Sequence, residues 1–551
     1  MKTLRILFII LLIAFLSVIM YFIFRPTESS EQPEVLSPGK SLQLKFQYTE
    51  MSGKKIKYTA TADQYLVDTK GFYHHAANIR IKIYSSEMEI TAQKCTINRA
   101  KTRYEFSGSV FLKGKEVEAK TEKAVYFPKR DLVLIRSELE FKKGSIKGNA
   151  ERGRFDLKEK TSFFISPSFL IGESNLAGRN LQLSENESKG ELKGKPAVIA
   201  KGEKTAQGPS LNLFIEEQEI KKVIAPKGGK LVLGEKEGYL RAEWYEIDFE
   251  KGVQARNAFI VKEDVKIHAS NVFIREKDKE IIVSDGVRIE KKGLSIKAFS
   301  GRIKDNQMNF KGKVEILREN DRIFAEKAVI SEDGKEISLT EAEYISPSLS
   351  LKADSIKIKD RDIIAEGNVE GQKEDAALKC ERLEKKGDEE NLFGNIRILK
   401  RGNLIIAQNV KIANGKFIVY QGKIVTGEGY RVKGEELIYT DKNIKINKNV
   451  NITGQDLKIV CDGAELEMDG GNLKKIVATK VKSVLLKDTS GEGDRMIYDL
   501  EKEIAIFSGK AKLNSPEEGV MKGEMIKFYL KESRFEISGK GRTSSKIKRE
   551  K

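Results

Sequence analysis

The sequence predicts an all-β chain built as an elongated stack of repeats, and three observations predict it. A small residue followed three positions later by a second packing residue recurs at Ala242/Tyr245, Ala269/Val272, Ala298/Gly301, Ala325/Ala328 and Ala353/Ile356, then at Cys380/Leu383, Ala407/Val410, Gly434/Leu437 and Cys461/Ala464. The steps between the first members are 27, 29, 27, 28, 27, 27, 27 and 27 residues. A fixed period in this range marks stacked units, none able to bury its apolar face alone. Between the slots the apolar residues alternate with period two, as in Ile444, Ile446, Val450 and Ile452, whereas helical periodicity is weak beyond residue 25.

Each unit reads as two strands and two turns. Asp469-Gly470-Gly471-Asn472 and Ala413-Asn414-Gly415-Lys416 carry the glycine and asparagine of hairpin turns. A glycine before the first strand recurs in Gly286-Val287, Gly312-Lys313-Val314, Gly367-Asn368-Val369 and Gly394-Asn395-Ile396. It predicts a bulge, a bend or a close backbone approach. The small slot residues predict where two sheets come together.

The slots continue outward at Ala62, Ala92, Thr121/Ala124, Ala150, Gly178 and Gly208, and at Gly493 and Gly523. That makes roughly seventeen units. With one strand per sheet in each unit, they predict a rod about 80 Å long.

The first 25 residues are of another kind. Ile6 to Phe24 is a 19-residue stretch without charge, preceded by Lys2 and Arg5 and lacking a small-x-small cleavage site. It predicts an uncleaved membrane anchor with a cytoplasmic N-terminus, and residues 26–39, with three prolines, a short tether. The bulk of the chain is then expected across that membrane.

The formal charge of +18 and the 33% of charged residues fit the Lys/Glu-rich outer face of exposed strands, and also attraction to an anionic lipid or membrane surface. No basic cluster interleaved with aromatics points to nucleic acid. Nor does a catalytic motif appear: His74 and His75 are adjacent, His268 stands alone, and no nucleophile elbow or phosphate loop occurs. The chain is read as a non-enzyme without cofactor or metal. Cys95, Cys380 and Cys461 fall at packing positions and are expected to be small core residues. At one strand per repeat, Cys380 and Cys461 would stand roughly 14 Å apart, too far for a disulfide.

Lys57-Tyr58-Thr59-Ala60-Thr61-Ala62-Asp63, Phe106-Ser107-Gly108-Ser109-Val110, Thr121-Glu122-Lys123-Ala124-Val125-Tyr126-Phe127 and Lys147-Gly148-Asn149-Ala150-Glu151-Arg152-Gly153, together with the anchor and tether, resemble LptC, the membrane-anchored component of lipopolysaccharide export. The remainder, to about residue 540, is similar to tandem LptA/OstA-type units, most clearly in Phe310-Lys311-Gly312-Lys313-Val314 followed by Ala325-Glu326-Lys327-Ala328. The organisation expected is an anchor over 1–25, a tether over 26–39, an LptC-like part over 40–183 and a seam of irregular repeats over 184–240. LptA/OstA-like repeats follow over 241–540, then a basic disordered tail over 541–551. Ile165-Ser166-Pro167-Ser168 recurs as Ile345-Ser346-Pro347-Ser348, which predicts equivalent rim positions in two copies.

The resemblance implies an antiparallel β-jellyroll of the β-taco kind, incompletely closed, with lipopolysaccharide acyl chains between its sheets. It implies an inner-membrane, single-pass protein with a periplasmic body. The partners implied are lipopolysaccharide, the permease subunits of an ABC exporter, and LptA-like or outer-membrane LptD-like jellyrolls joined by edge-strand pairing. The candidate lining residues are the Gly-x-Val aliphatics Val110, Val287, Val314, Val369, Ile396 and Val450. Two other readings stand beside it: a tethered β-solenoid scaffold with a dry core, and a β-groove bridge carrying phospholipid. A conduit is expected to be open along one side and a scaffold closed.

Overall fold

The computed structural model describes residues 40–68, 71–115, 117–184, 188–234, 237–305, 307–539 and 542–544. The predicted anchor over Ile6–Phe24, the tether and most of the tail lie outside the described residues. Among the described residues no helix is long and apolar enough to cross a membrane. They form antiparallel strands, with a 3-10 turn at Pro128–Arg130. Contacts divide the chain into two compact units, Met1–Ile165 and Ser166–Lys551, a division inside the segment 40–183 that the sequence set apart.

From Gly238–Asp248 to Arg534–Ser538 the strands follow one another as a meander, each hydrogen-bonded to the next. Asp321–Ser331 shows how one strand is made. Ile323 and Ala325 are buried, Glu326 and Lys327 are exposed side by side, and Ala328 and Ile330 are buried again. A flat strand cannot put two consecutive side chains on one face. The chain therefore bends between Ala325 and Ala328, and the interior lies inside the bend. The partner strand Gln307–Arg318 bends at the same level but carries one residue more. Lys311 pairs with Lys327 and Val314 with Ala325, so three steps on one strand match two on the other. The extra residue is accommodated by left-handed backbone at Gly312 (φ 76°) and Lys313 (φ 50°), a bulge that glycine enters without strain.

This crease repeats at Ser284/Val287, Glu366/Val369, Phe393/Ile396 and Asn447/Val450. The meander is thus folded lengthwise into two arms, and each full-length strand crosses the fold once. The crease explains the small slots. Phe310 stands opposite both Gly301 and Ala328, and a Cβ built on Gly301 would lie 2.6 Å from Phe310 Cδ1. At Gly434 it would lie 2.3 Å from Ile446 Cγ2. In the acute angle of the fold only one of two facing side chains has room to be large.

Four expectations need correction. In the second unit each repeat contributes two successive strands to both arms, not one per sheet, so its rise is about 9.6 Å. Cys380 and Cys461, on strands Ala376–Lys386 and Leu457–Asp469, are six strands and about 29 Å apart rather than 14 Å. Ser346-Pro347-Ser348 lies in the turn between Glu336–Ile345 and Ser350–Lys359, where Leu349 N–H donates to Ser346 Oγ at 3.1 Å. Ser166-Pro167 instead joins the short strands Thr161–Ile165 and Ser168–Ile171, so the two motifs are not equivalent. Within the predicted disordered tail, Arg542–Ser544 is a strand paired with Val520–Lys522.

The predicted seam is where the crease is made differently. Lys204–Glu216 pairs with two short strands, Glu219–Ala225 and Gly229–Gly234, separated by Pro226-Lys227-Gly228. A loop rather than a bulge turns the corner, and the added residues lengthen the period. The first unit has both kinds. Lys40–Ser52 to Val117–Phe127 is a bulged meander, after which Leu132–Ile135 and Leu139–Lys143 share the edge of Val117–Phe127.

Candidate lipid-binding interior

The interior is lined by side chains from successive strands, and the six predicted lining residues are among them. Val110, Val287, Val314, Val369, Ile396 and Val450 are each no more than 2% exposed. Register places each directly opposite a small residue of the next strand: Thr121, Ala298, Ala325, Cys380, Ala407 and Cys461. They line the crease itself. The broader part of each arm is lined by residues the motif did not single out, such as Ile398, Ile405, Ile412 and Leu437. Among the described residues the buried acidic and basic side chains are His74, Glu280, Glu390 and Lys400, all at or beside strand ends. The middle of most strands presents hydrocarbon inward, Thr121 and Ser210 being exceptions.

Outside the crease runs a polar ladder that sequence reasoning missed. Asn368 Nδ2 donates to Asp354 Oδ2 at 2.9 Å, Asn449 to Glu435 Oε1 at 2.6 Å, Asn257 to Glu243 Oε2 at 2.7 Å and Asn395 to Glu381 Oε1 at 2.5 Å. In each pair the acid follows the slot residue and the asparagine occupies the left-handed bulge fourteen positions later. The glycine before Asn368 and Asn395 is needed for the same contact. A Cβ at Gly367 would lie 2.4 Å from Asp354 Oδ2, and one at Gly394 2.2 Å from Glu381 Oε2. A recurring acid–asparagine spacing of fourteen was the available signal. Concavities of about 750 Å³ around Ser109, Val110 and Glu122, and about 440 Å³ around Asn395, Ile396 and Lys433, lie along the crease.

Because strands alternate in direction, their turns alternate between two rims. In the second unit the turns near 276–280, 332–335, 387–388, 440–442 and 470–471 make the first rim. Those near 202–203, 292–293, 374–375, 401–402, 426–430 and 487–488 make the second. The rims meet. Lys204 pairs with Glu276, Lys279 with Glu237 at 3.3 Å, and Lys291 Nζ donates to the Glu332 carbonyl at 2.7 Å. Lys373 pairs with Glu390 at 2.8 Å, and Lys400 and Arg401 reach Asp441 at 2.9 and 3.2 Å. Leu473 N–H donates to Glu428 Oε2 at 3.1 Å, and Lys487 Nζ to the Leu530 carbonyl at 3.4 Å.

Electrostatics at this seam follow from half-burial. Burial pulls the Lys400 ammonium down, but Asp441 and Asp375 outweigh it and hold its pKa above the ordinary 10.5. The hydrogen bond from Arg401 holds the Asp375 carboxyl below 3.8. For Glu276, burial raises the pKa, and Lys204 and Lys279 together overcome it to leave the group below 4.5. In the first unit aromatic residues close the corresponding gap. Tyr58 and Tyr104 hydroxyls are 3.0 Å apart, Lys101 Nζ stands 3.7 Å over the Tyr48 ring, and Lys57 pairs with Asp131 at 3.5 Å.

The cysteines and His74 are packing residues, whereas His75 and His268 are exposed on their strands. His74 is buried 5.6 Å from the Tyr65 ring, and His268 lies 4.4 Å from Phe259. Burial, with Lys101 and Arg99, lowers the His74 pKa. Cys95, Cys380 and Cys461 are free and buried, and burial pushes the Cys380 and Cys461 thiols up to about 11. Among the described residues no group of three or more His, Cys, Asp or Glu side chains could hold a metal ion.

Residues 295–422 and 431–534 match the family described as LptA/(LptD N-terminal domain) LPS transport protein. The match covers less than half of the chain and falls within the second unit. That part is similar to the jellyrolls of lipopolysaccharide transport, a lipid-transport family rather than an enzyme family. No curated protein matches the chain.

Proposed function

We propose that this protein is a bridge component of the cell envelope that binds lipopolysaccharide acyl chains between its two arms and passes the lipid toward the outer membrane. The observation that carries the reading is the hydrocarbon interior that continues from strand to strand with charge confined to the turns, in the part of the chain that matches the transport family. Each methylene removed from water there is worth about 0.8 kcal/mol, so a twelve-carbon chain gains roughly 10 kcal/mol. In this reading residues 1–25 anchor the protein in the inner membrane, the body is periplasmic, and an ABC exporter supplies both lipid and energy. Free strand edges would join LptA-like or LptD-like jellyrolls by β-augmentation.

One observation favours the dry-core scaffold instead: the rims of the second unit are bridged at several levels. The bridges, however, are ion pairs and single hydrogen bonds, and apart from those of the buried Glu390 and Lys400 each is worth about 1 kcal/mol or less. Such a seam is openable in a way that a packed apolar one is not.

Photo-crosslinking in cells that make lipopolysaccharide tests the reading. Probes go at Ile398 and Ile405 in an arm and at Val369 and Ile396 in the crease, with exposed Asn368 and Asn395 as controls. ATP-dependent crosslinks to lipopolysaccharide inside and none outside are expected. Crosslinks to phospholipid alone would change the cargo. None at any interior position, in folded and anchored protein, would leave the scaffold.

A further inference from the structure

The bridges between the rims have a polarity. On the second rim the partners are Lys204, Lys291, Lys373, Lys400, Arg401 and Lys487; across from them stand Glu276, Glu390, Asp441 and the carbonyls of Glu332 and Leu530. Lys279–Glu237 and the Glu428–Leu473 bond run the other way. The cations are also placed where interior meets water. Lys400 is 5% exposed with its Nζ 5.3 Å from the Phe417 ring, and Lys204, Lys291 and Lys373 are 13%, 18% and 23% exposed. Their stems cover hydrocarbon while their ammonium groups face the gap.

We infer that the second rim is a headgroup ladder for an amphiphile bearing phosphate groups, and that the first-rim carboxylates occupy it when the interior is empty. The inference rests on the lipid-carrying reading above. An amphiphile whose chains lie between the arms has to keep its head at a rim, because a head drawn into the arms would be desolvated without partners. Opening the seam strips Lys373 of Glu390 and leaves Lys400 and Arg401 to share Asp375 alone. Half-buried cations short of acceptors are costly, and phosphate oxygens replace the lost carboxylate oxygens without changing the donors. Adjacent Lys400 and Arg401 offer a point charge beside a bidentate fork, an arrangement suited to phosphate. Lys373 and Lys400 end strands two apart, so successive rungs lie about 9.6 Å from one another. Entry is then an exchange of anions rather than a net loss of ion pairs.

The test uses the full chain, purified lipopolysaccharide, and the same lipopolysaccharide enzymatically stripped of phosphate. Affinity is measured for the wild type, Lys400→Gln/Arg401→Gln and Glu390→Gln/Asp441→Asn, with circular dichroism to verify the fold. Loss of two cations should weaken binding of the phosphorylated lipid at least about tenfold and leave the dephosphorylated lipid unchanged. Lys400→Arg should keep wild-type affinity. The carboxylate variant should bind the phosphorylated lipid as tightly as wild type or tighter, and load faster. If the cation variant binds both lipids as the wild type does, or if the wild type does not distinguish them, the ladder is wrong and the conduit stands. If the wild type takes up neither lipid, the conduit reading itself falls and the ladder with it.

Discussion

Replacing Gly394 with alanine isolates what the crease costs to build. Gly394 has φ 71° and is followed by Asn395 at φ 45°. An alanine there meets two penalties. Left-handed backbone in a residue with a Cβ costs about 1–2 kcal/mol. The new Cβ would also stand 2.2 Å from Glu381 Oε2 and 3.0 Å from Glu381 Cβ, so the carboxylate has to move and gives up its bond from Asn395 Nδ2. Because Glu381 is exposed, that second part is worth about 1 kcal/mol. The sum is about 2–3 kcal/mol. Glu381→Ala removes the carboxylate in advance and keeps only the Cβ contact at 3.0 Å, so Gly394→Ala made in that background should be cheaper by the carboxylate part, about 1 kcal/mol. A stack of repeats does not unfold as one body, so a single melting curve is the wrong assay. Native-state hydrogen exchange at amides of Glu389–Lys400 and Asn403–Ala413 reads the local opening free energy. A coupling near 1 kcal/mol between the two substitutions is expected. Additivity within about 0.3 kcal/mol would show that the glycine is not there to admit the acid, and the account of the crease would be refuted.

Other perturbations probe the seam and the fold line. Lys373→Met leaves Glu390, 1% exposed, without its cation and should cost about 2 kcal/mol of local stability; adding Glu390→Leu should recover most of it, measured by exchange in Asp362–Lys373. Ala325→Leu places a large side chain opposite Val314 in the angle of the fold and should destabilise by about 3 kcal/mol, whereas Ile405→Leu in an arm should cost under about 1.5 kcal/mol. The seam should hold on a plateau of pH. Asp375 and Glu276 have folded pKa values below 3.8 and 4.5, so their contribution is complete above those values and is lost as pH falls through the lower folded ones. Lys400, raised above 10.5, contributes below that value and is lost as pH rises past its folded pKa. Exchange at the amides of Ala376–Lys386 and Glu389–Lys400, the strands that flank Asp375 and Lys400, followed from pH 3 to 11 after correction for intrinsic rates, should show protection flat from about pH 5 to 10; a loss centred near 7 would contradict it.

The sequence was legible where a residue's size or backbone conformation was dictated by its immediate neighbour on the next strand. The slot at Ala325 and the Gly312-Lys313-Val314 bulge are partners in one register, and both leave a local mark. The buried state of the six aliphatics was readable for the same reason. Their position in the narrow crease was not, because alternation reports which face is inside and not how far apart the facing arms stand. Two strands per repeat were legible, but the rise per repeat was not, for a related reason. A bent strand adds to both arms at once, while the small slots recur only on alternate strands. The rim contacts left no mark at all: Lys400 and Asp441 are ordinary charges in a chain full of them, and only the meander brings them together. The resemblance to transport jellyrolls over 241–540 is met by a family match inside that range, and the LptC-like part over 40–183 lies outside the match.

The alternation of turns between two rims also governs how such a chain can change in length. Removing a single strand would reverse the direction of everything after it and carry each downstream lysine to the opposite rim. Removing two consecutive strands with their turns keeps every later turn on its own side and every later register intact. Growth or loss is therefore quantised in whole strand pairs of about 27 residues, and a chain assembled by duplication can lengthen without redesigning either rim.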